Sequence, residues 1–262
     1  MTPKAIIGTG EFGSRTFDKI EKEAVYQTNS NYWNEVGSDF LGTIALPLYG
    51  AFVWEEKLQL LGDVSGKKVL EIGCGDGQSL QYMGKRHAGE LWGLDISRSQ
   101  LEKAEKRLTA NEMPAKLICS PMEEECGIPA EYFDLVYSVY AIGWAVDLER
   151  AFRRVASYLK PGGVFVFSWS HPLHKCVAMN NGQLVFQKSY FDESWYSVPL
   201  EKGTITLSDR KLSTYINALS AAGFFLERLE EESDPEMTAG DDEFAQKARI
   251  LPVTFVIRAR KR

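Results

Sequence analysis

The stretch V-L-E-I-G-C-G-D-G, from Val69 to Gly77, constrains this chain more than any other. A short apolar run with β-branched residues, ending in an acid and then in glycines at alternate positions, reads as a buried strand breaking into a tight turn. Glycine permits positive φ and lets a ligand approach the main chain closely, so Gly73, Gly75 and Gly77 mark a site as well as a turn. The helix predicted from about Gln78 to Arg86 would aim its unpaired N–H groups at whatever sits there. The plain alternative is a strand-to-helix turn of a Rossmann-like protein that binds nothing.

A second apolar run, Leu91 to Ile96, also carries an acid at its end. Asp95 lies about 20 residues beyond the glycines, the separation at which a second parallel strand brings a carboxylate to ribose hydroxyls. Dinucleotide proteins use G-x-G-x-x-G, whereas here Gln78 stands where their third glycine would be, so the pattern departs from NAD binding. Glu71, the G-x-G-x-G turn and Asp95 together resemble the class I S-adenosylmethionine-dependent methyltransferases. Within them the chain looks like the small-molecule type, resembling the quinone-biosynthesis group.

With 262 residues, 44% of them apolar, the chain can bury a full core and fits one domain with additions. A net charge of -6 argues against a phosphate-binding surface and favours a small-molecule partner over nucleic acid. Cys74, Cys119, Cys126 and Cys176 show no C-x-x-C spacing, which fits a reducing cytoplasm. No apolar run is long enough to cross a bilayer and no signal peptide is visible, so a cytoplasmic protein without a membrane partner is expected.

The expected organisation is a single domain over 1–262: an N-terminal helical lid (1–60), a core (67–169), an insertion (170–208), and a C-terminal helix with edge strands (209–262). Residues 1 to about 17 should be loosely ordered. Asp18 to Trp33 is rich in aromatics that must pack somewhere. Tyr26 or Trp33 could face a bound sulfonium, since aromatic faces attract cations; the plainer role is to cap the core. Apolar residues from Phe40 to Leu61 recur at near-helical spacing, with Pro47 marking a break or a first turn. From Lys67 strands and helices alternate, which specifies a parallel sheet covered on both faces. Ser97 and Asp147 are candidate N-caps, and Lys160-Pro-Gly-Gly163 should stop the second of those helices.

After Ser170 an insertion interrupts the alternation, with Asn180 to Gly182 as a hairpin turn and a position where binding loops sit; it is the candidate substrate cover. Ser208 or Asp209 should cap the next helix. Strands at Phe224 to Leu229 and Val253 to Arg260 should form an antiparallel pair at the sheet edge, and the acidic run Glu230 to Asp234 a solvated loop. The resemblance implies an α/β fold, a Rossmann-like sheet of seven strands with one reversed.

The resemblance also implies roles. Trp33, Glu71, Gly73, Cys74 and Gly75 would surround the methionine part of the cofactor, Asp95 would take the ribose hydroxyls and Ile96 would pack on adenine. Where similar enzymes carry an acid that reads the adenine amino group, this chain has Ser120-Pro-Met122; Ser120 can accept a hydrogen bond and Met122 can line the ring. In S-V-Y-A-I-G-W, Ser138 falls on the cofactor side, while Tyr140 and Trp144 fall beside the acceptor. Many relatives carry a histidine just before that tryptophan; here Gly143 replaces it. His171, just past the next strand, is then the candidate catalytic base and acceptor contact. His171, His174 and Cys176 crowd around Pro172 without a distant partner pair, so no metal site is expected. The expected activity is methyl transfer to an oxygen, nitrogen or carbon of a small molecule. The competing class is a non-catalytic binder of S-adenosylmethionine, its demethylated product or another nucleotide.

Overall fold

Apolar strands alternating with helices build one mixed sheet in the computed structural model, which describes Arg15–Phe17 and residues 20–36, 45–180 and 182–262. In chain order, strand β1 (Arg15–Phe17) precedes helix α1 (Lys22–Glu35), the hairpin β2 (Leu48–Gly50) and β3 (Val53–Trp54), and the single helical turn α2 (Glu55–Leu58). The core follows as β4 (Lys68–Ile72), α3 (Gln78–Lys85), β5 (Glu90–Asp95), α4 (Arg98–Ala110), β6 (Ala115–Cys119), β7 (Phe133–Val139), α5 (Leu148–Tyr158) and β8 (Leu159–Ser170). Beyond it come α6 (Pro172–Cys176), the hairpin β9 (Val177–Asn180) and β10 (Gln183–Phe186), and the hairpin β11 (Trp195–Leu200) and β12 (Gly203–Ser208). The chain ends with α7 (Leu212–Ala221), β13 (Phe224–Glu230), α8 (Glu243–Ala248) and β14 (Thr254–Lys261).

Seven strands form the main sheet in the order β13-β14-β8-β7-β4-β5-β6, and β14 alone runs against the rest. This is the expected Rossmann-like sheet with one reversed strand. Strand β8 shows why its sequence is apolar almost throughout: Phe165 and Phe167 pack with Phe152 and Tyr215 of α5 and α7, while Val164 and Val166 join the opposite layer with Leu80 and Leu101. Such a strand is buried on both faces, and each large apolar side chain contributes roughly 1.5–3 kcal/mol. Ser97 and Asp147 cap their helices as expected, accepting from Gln100 N at 3.2 Å and Arg150 N at 3.0 Å.

Strand β5 pairs on one side of β4 and β7 on the other. The winding therefore reverses at β4, and the loops leaving its carboxyl end diverge to open a crevice. Helix α1 lies over that edge. Asn29 joins it to β12 by donating to Thr206 O and accepting from Thr206 N, both at 2.8 Å. The inserted segment holds both hairpins after β8, the first pairing Asn180 with Gln183, and β1 adds to the second.

Several sequence expectations change. In the stretch from Phe40 to Leu61, residues 45–54 hold a short hairpin with Phe52 at φ +65°, and only α2 is helical among its described residues; residues 40–44 lie outside the described ones. Apolar spacing over so short a run does not separate helix from strand. The expectation for residues 1–14 also lies outside the described residues, while Arg15–Phe17 pairs with β11. Helix α5 stops at Tyr158, and Lys160 to Gly163 belong to β8. Helix α7 starts after Lys211, not at Ser208 or Asp209; Glu193 serves its first turn, accepting from Lys211 N at 2.9 Å and Thr214 Oγ1 at 2.6 Å. The acidic run is partly built in, because Asp234 is buried against Lys57 at 2.5 Å.

Candidate active site

The turn after β4 needs its glycines. Gly73, Gly75 and Gly77 sit at φ +74°, +50° and +81°, and a Cβ on Gly73 would fall 2.1 Å from that of Ala141. The N–H groups of Gly73 and Cys74 donate to Leu94 O at 2.7 and 3.1 Å. Asp95 holds the next strand end to this turn: Oδ2 accepts from Gly75 N and Oδ1 from Ser97 N, both at 2.8 Å. With those donors committed, the turn offers a ligand its carbonyl oxygens and its closeness, and each Asp95 oxygen keeps a second lone pair. Asp76, also buried, is paired with Arg107 of α4 at 2.6 Å.

Glu71, at the end of β4, is 2% exposed and accepts from the Tyr137 hydroxyl at 3.2 Å. Burial pushes its carboxyl well above the ordinary range, and the carboxylates of Asp95 and Asp76 push the same way, against hydrogen bonds from Ser79 and Tyr137. A buried acid in this state is set to ionise when a cation arrives.

A cavity of about 1230 Å³, open mouth included, lies over the carboxyl ends of β4, β5, β7 and β8. Of the residues assigned from sequence, Trp33, Glu71, Gly73, Cys74, Gly75 and Asp95 line it, as do Ile96, Ser120, Met122, Tyr140 and Trp144. Its far end is aromatic. Trp33 meets Trp144 edge-on at 5.4 Å, Trp144 meets Trp169 edge-on at 5.6 Å, and Tyr140 lies 5.4 Å from Trp169. Tyr140 takes the left-handed conformation, φ +52°, a strain of order 1–3 kcal/mol that clusters at functional sites. Gly50 makes room for its ring, since a Cβ there would lie 2.3 Å from Tyr140 Cε2.

Two assignments are corrected. Ser138 is fully buried outside the lining and donates to Ile72 O at 2.9 Å, because strand alternation turns it from the cavity that its neighbour Val139 lines. His171 also lies outside the lining. Its Nδ1 accepts from Leu173 N at 3.1 Å and caps α6, which leaves the proton on Nε2, 2.7 Å from Glu231 Oε1. Both ring nitrogens are thus committed, and neither can take a proton from a substrate in the cavity. Burial lowers its pKa, opposed by Glu231. Sequence reasoning missed Glu123, one residue beyond Met122. It is buried in the cavity wall, accepting from Val146 N and Asp147 N. Gln100 and Ser170, both buried and both lining the cavity, were missed too; Ser170 ends β8 and precedes the histidine that drew attention.

Residues 70–167 match the family described as methyltransferase domain. An S-adenosylmethionine-dependent methyltransferase from Mesorhizobium loti superposes with a TM-score of 0.67 and 27% identity, covering 81% of this chain and 99% of that one. Residues 70–167 thus form a class I S-adenosylmethionine-dependent methyltransferase domain. A Haemophilus influenzae protein is 28% identical over 221 residues, 78% of this methyltransferase and 85% of its own length. A malonyl-[acyl-carrier protein] O-methyltransferase of Priestia megaterium is 30% identical over 137 residues, 50% of this chain and 48% of its own length.

S-adenosylmethionine is the cofactor of this methyltransferase, and the residues present fit it. Gln100 spends its amide N–H groups on Trp33 O and Val36 O, while its Oε1 is buried without a partner among the described residues, in the cavity that Asp95 also lines, and would suit a donor from the nucleoside. Glu71 fits the ammonium of the methionine part, and the side-chain-free Gly73 leaves room above the turn.

Proposed function

We propose that this methyltransferase transfers the methyl group of S-adenosylmethionine to an atom of a small molecule held against the aromatic end of the cavity. The observation that carries this reading is one enclosure with two unlike ends: glycines and buried acids at the first, three tryptophans and a tyrosine at the second. Bound S-adenosylmethionine supplies a methyl already activated on a cationic sulfur. The chain's own part is to bind, orient and exclude water. Asp95 and Gln100 hold the nucleoside, Glu71 the ammonium, and Trp33 on α1 closes the site over the methyl position. The indole and phenol faces favour positive charge there. With both His171 nitrogens occupied, orientation rather than a histidine base supplies the rate. The unpaired state of all four cysteines supports a reducing, cytoplasmic setting.

Titration calorimetry tests the reading. S-adenosylmethionine and its demethylated product should bind, and NAD should not, because Gln78 takes the place of the third glycine. Comparable NAD binding, or no heat with the methyl donor, would overturn it. A tritiated-methyl transfer screen against mixed metabolites then finds the acceptor.

A further inference from the structure

Resting on that reading, we infer that the methyl acceptor is a small amine, bound by its N–H groups to the hydroxyls of Tyr140 and Ser170 inside the aromatic enclosure.

The directions of the hydrogen bonds carry the first part. Thr254 Oγ1 donates to Ala51 O at 3.2 Å, and a carbonyl can only accept. The one proton of Thr254 is therefore committed, so the Tyr140 hydroxyl, 3.1 Å away, must donate to Thr254. This leaves the Tyr140 oxygen with lone pairs alone. Beside it is Ser170, a lining residue 2% exposed, whose Oγ is buried next to the Tyr140 hydroxyl and, among the described residues, has no hydrogen-bond partner of good geometry. An unmet buried hydroxyl costs about 1–3 kcal/mol, and a ligand donor would recover it. The Tyr140 oxygen can thus only accept, and the Ser170 hydroxyl is unmet, so a ligand that brings N–H groups satisfies the first and can also meet the second.

Charge carries the second part. Among the described residues lining the cavity there is no lysine, arginine or histidine, while Glu71, Asp76, Asp95 and Glu123 all contribute carboxyls. Arg210, outside the lining, spends donors on Gly143 O and Ala145 O, the carbonyls on either side of Trp144. A carboxylate or phosphate acceptor would be desolvated here without a counter-charge. A phenol or alcohol would have to lose its proton in a wall whose histidine neighbour is spent on Glu231. An amine needs no cationic partner, and the proton that its ammonium form carries at neutral pH leaves to water before the reaction, at far lower cost than the proton of an alcohol. The amine's neutral lone pair forms the N–C bond as the methyl–sulfur bond breaks toward sulfur. Positive charge then passes from sulfur to nitrogen between Trp33, Trp144, Trp169 and Tyr140, whose faces favour a cation at both stages. The surplus proton leaves to water afterwards.

The test uses the full chain saturated with S-adenosylhomocysteine, whose own binding is measured first by calorimetry. Arylalkyl amines, each matched by the carboxylic acid and the alcohol of the same skeleton, are then titrated while tryptophan fluorescence is followed. The expected result is that amines bind at least 10-fold tighter than the matched acids and alcohols. Ser170→Ala and Tyr140→Phe should each weaken the amines about 10-fold and leave S-adenosylhomocysteine affinity unchanged, which also shows that the variants are folded. Acids or alcohols binding as well as amines, no amine binding at all, or amine affinity untouched in both variants would overturn the inference while the methyltransferase reading stands. Failure of S-adenosylhomocysteine to bind would overturn both.

Discussion

The indole of Trp169 fills the space that a side chain on Gly143 would need: a Cβ at that position would lie 1.9 Å from Trp169 Cε2. The glycine that stands where the resemblance leads one to expect a histidine is thus matched to a tryptophan on the neighbouring strand, and an indole forms the cavity wall there. Gly143→Ala should destabilise the protein by about 1–3 kcal/mol through overpacking, and Gly143→His by more. Urea denaturation measures the loss, and a changed near-UV circular dichroism band would report the displaced indole.

Asp95 serves two ends. Asp95→Ala should weaken S-adenosylmethionine by roughly 1–3 kcal/mol. Because Gly75 N and Ser97 N would lose their acceptor, it should also lower the stability of the ligand-free protein. Calorimetry and denaturant unfolding read the two losses separately. An affinity loss with full stability would mean that the turn holds without its brace.

Glu71 gives a proton signature. Burial raises its folded-state pKa well above the ordinary value of 4.5, so the folded carboxyl keeps a proton that the unfolded chain has lost. Its contribution to stability is complete below about pH 4.5 and is lost as pH rises through the folded value. Glu71→Gln should remove this component from the pH profile of stability. When the cofactor ammonium binds, wild-type protein should release protons and Glu71→Gln should not, a difference visible by calorimetry in buffers of unequal ionisation enthalpy.

Two buried histidines set the acid limit. His171 is pushed below its ordinary value by burial, and His174 well below by burial and by the charges of Lys247 and Lys175. Both stay neutral in the fold where the unfolded chain takes up protons. The stability they contribute above about pH 6.5 is therefore lost as pH falls toward their folded values. Among the described residues His174 has no partner on either ring nitrogen, and it packs edge-on against Phe244 at 5.6 Å. His174→Phe should fold and show a flatter melting temperature between pH 7.5 and 5.5. His171→Ala should lower stability by roughly 1–3 kcal/mol and leave cofactor affinity intact.

What could be read from the sequence was what local chemistry dictates. Strand, glycine turn and following helix at Val69 to Lys85 follow from burial and backbone freedom, and the caps at Ser97 and Asp147 from side chains that reach donors three residues on. The reversed strand was expected from the resemblance, which implies a chain ending on an antiparallel edge pair; helix α8, between β13 and β14, was not. Side-chain direction at the end of β8 was not legible either. Ser170 and His171 are adjacent, and which of them enters the cavity depends on Glu231, 60 residues away. Glu123 was passed over because its role is set by Val146 and Asp147, which only the folded chain brings near. The hairpin at Leu48–Trp54 was hidden by an apolar run too short to show a period.

Helix α1 is fastened on both sides of the cavity. Asn29 joins it to the cover at Thr206, and Asn34 accepts from Ser97 Oγ at 2.8 Å and Ser99 N at 3.2 Å at the start of α4. One rigid body therefore spans the nucleoside side and the acceptor side. Whatever settles under the cover also sets the wall against which the other ligand lies, so the two affinities are linked by one coupling free energy that acts equally in both directions. Departure of the methylated product would then loosen the grip on the spent cofactor, giving turnover a preferred order of exit.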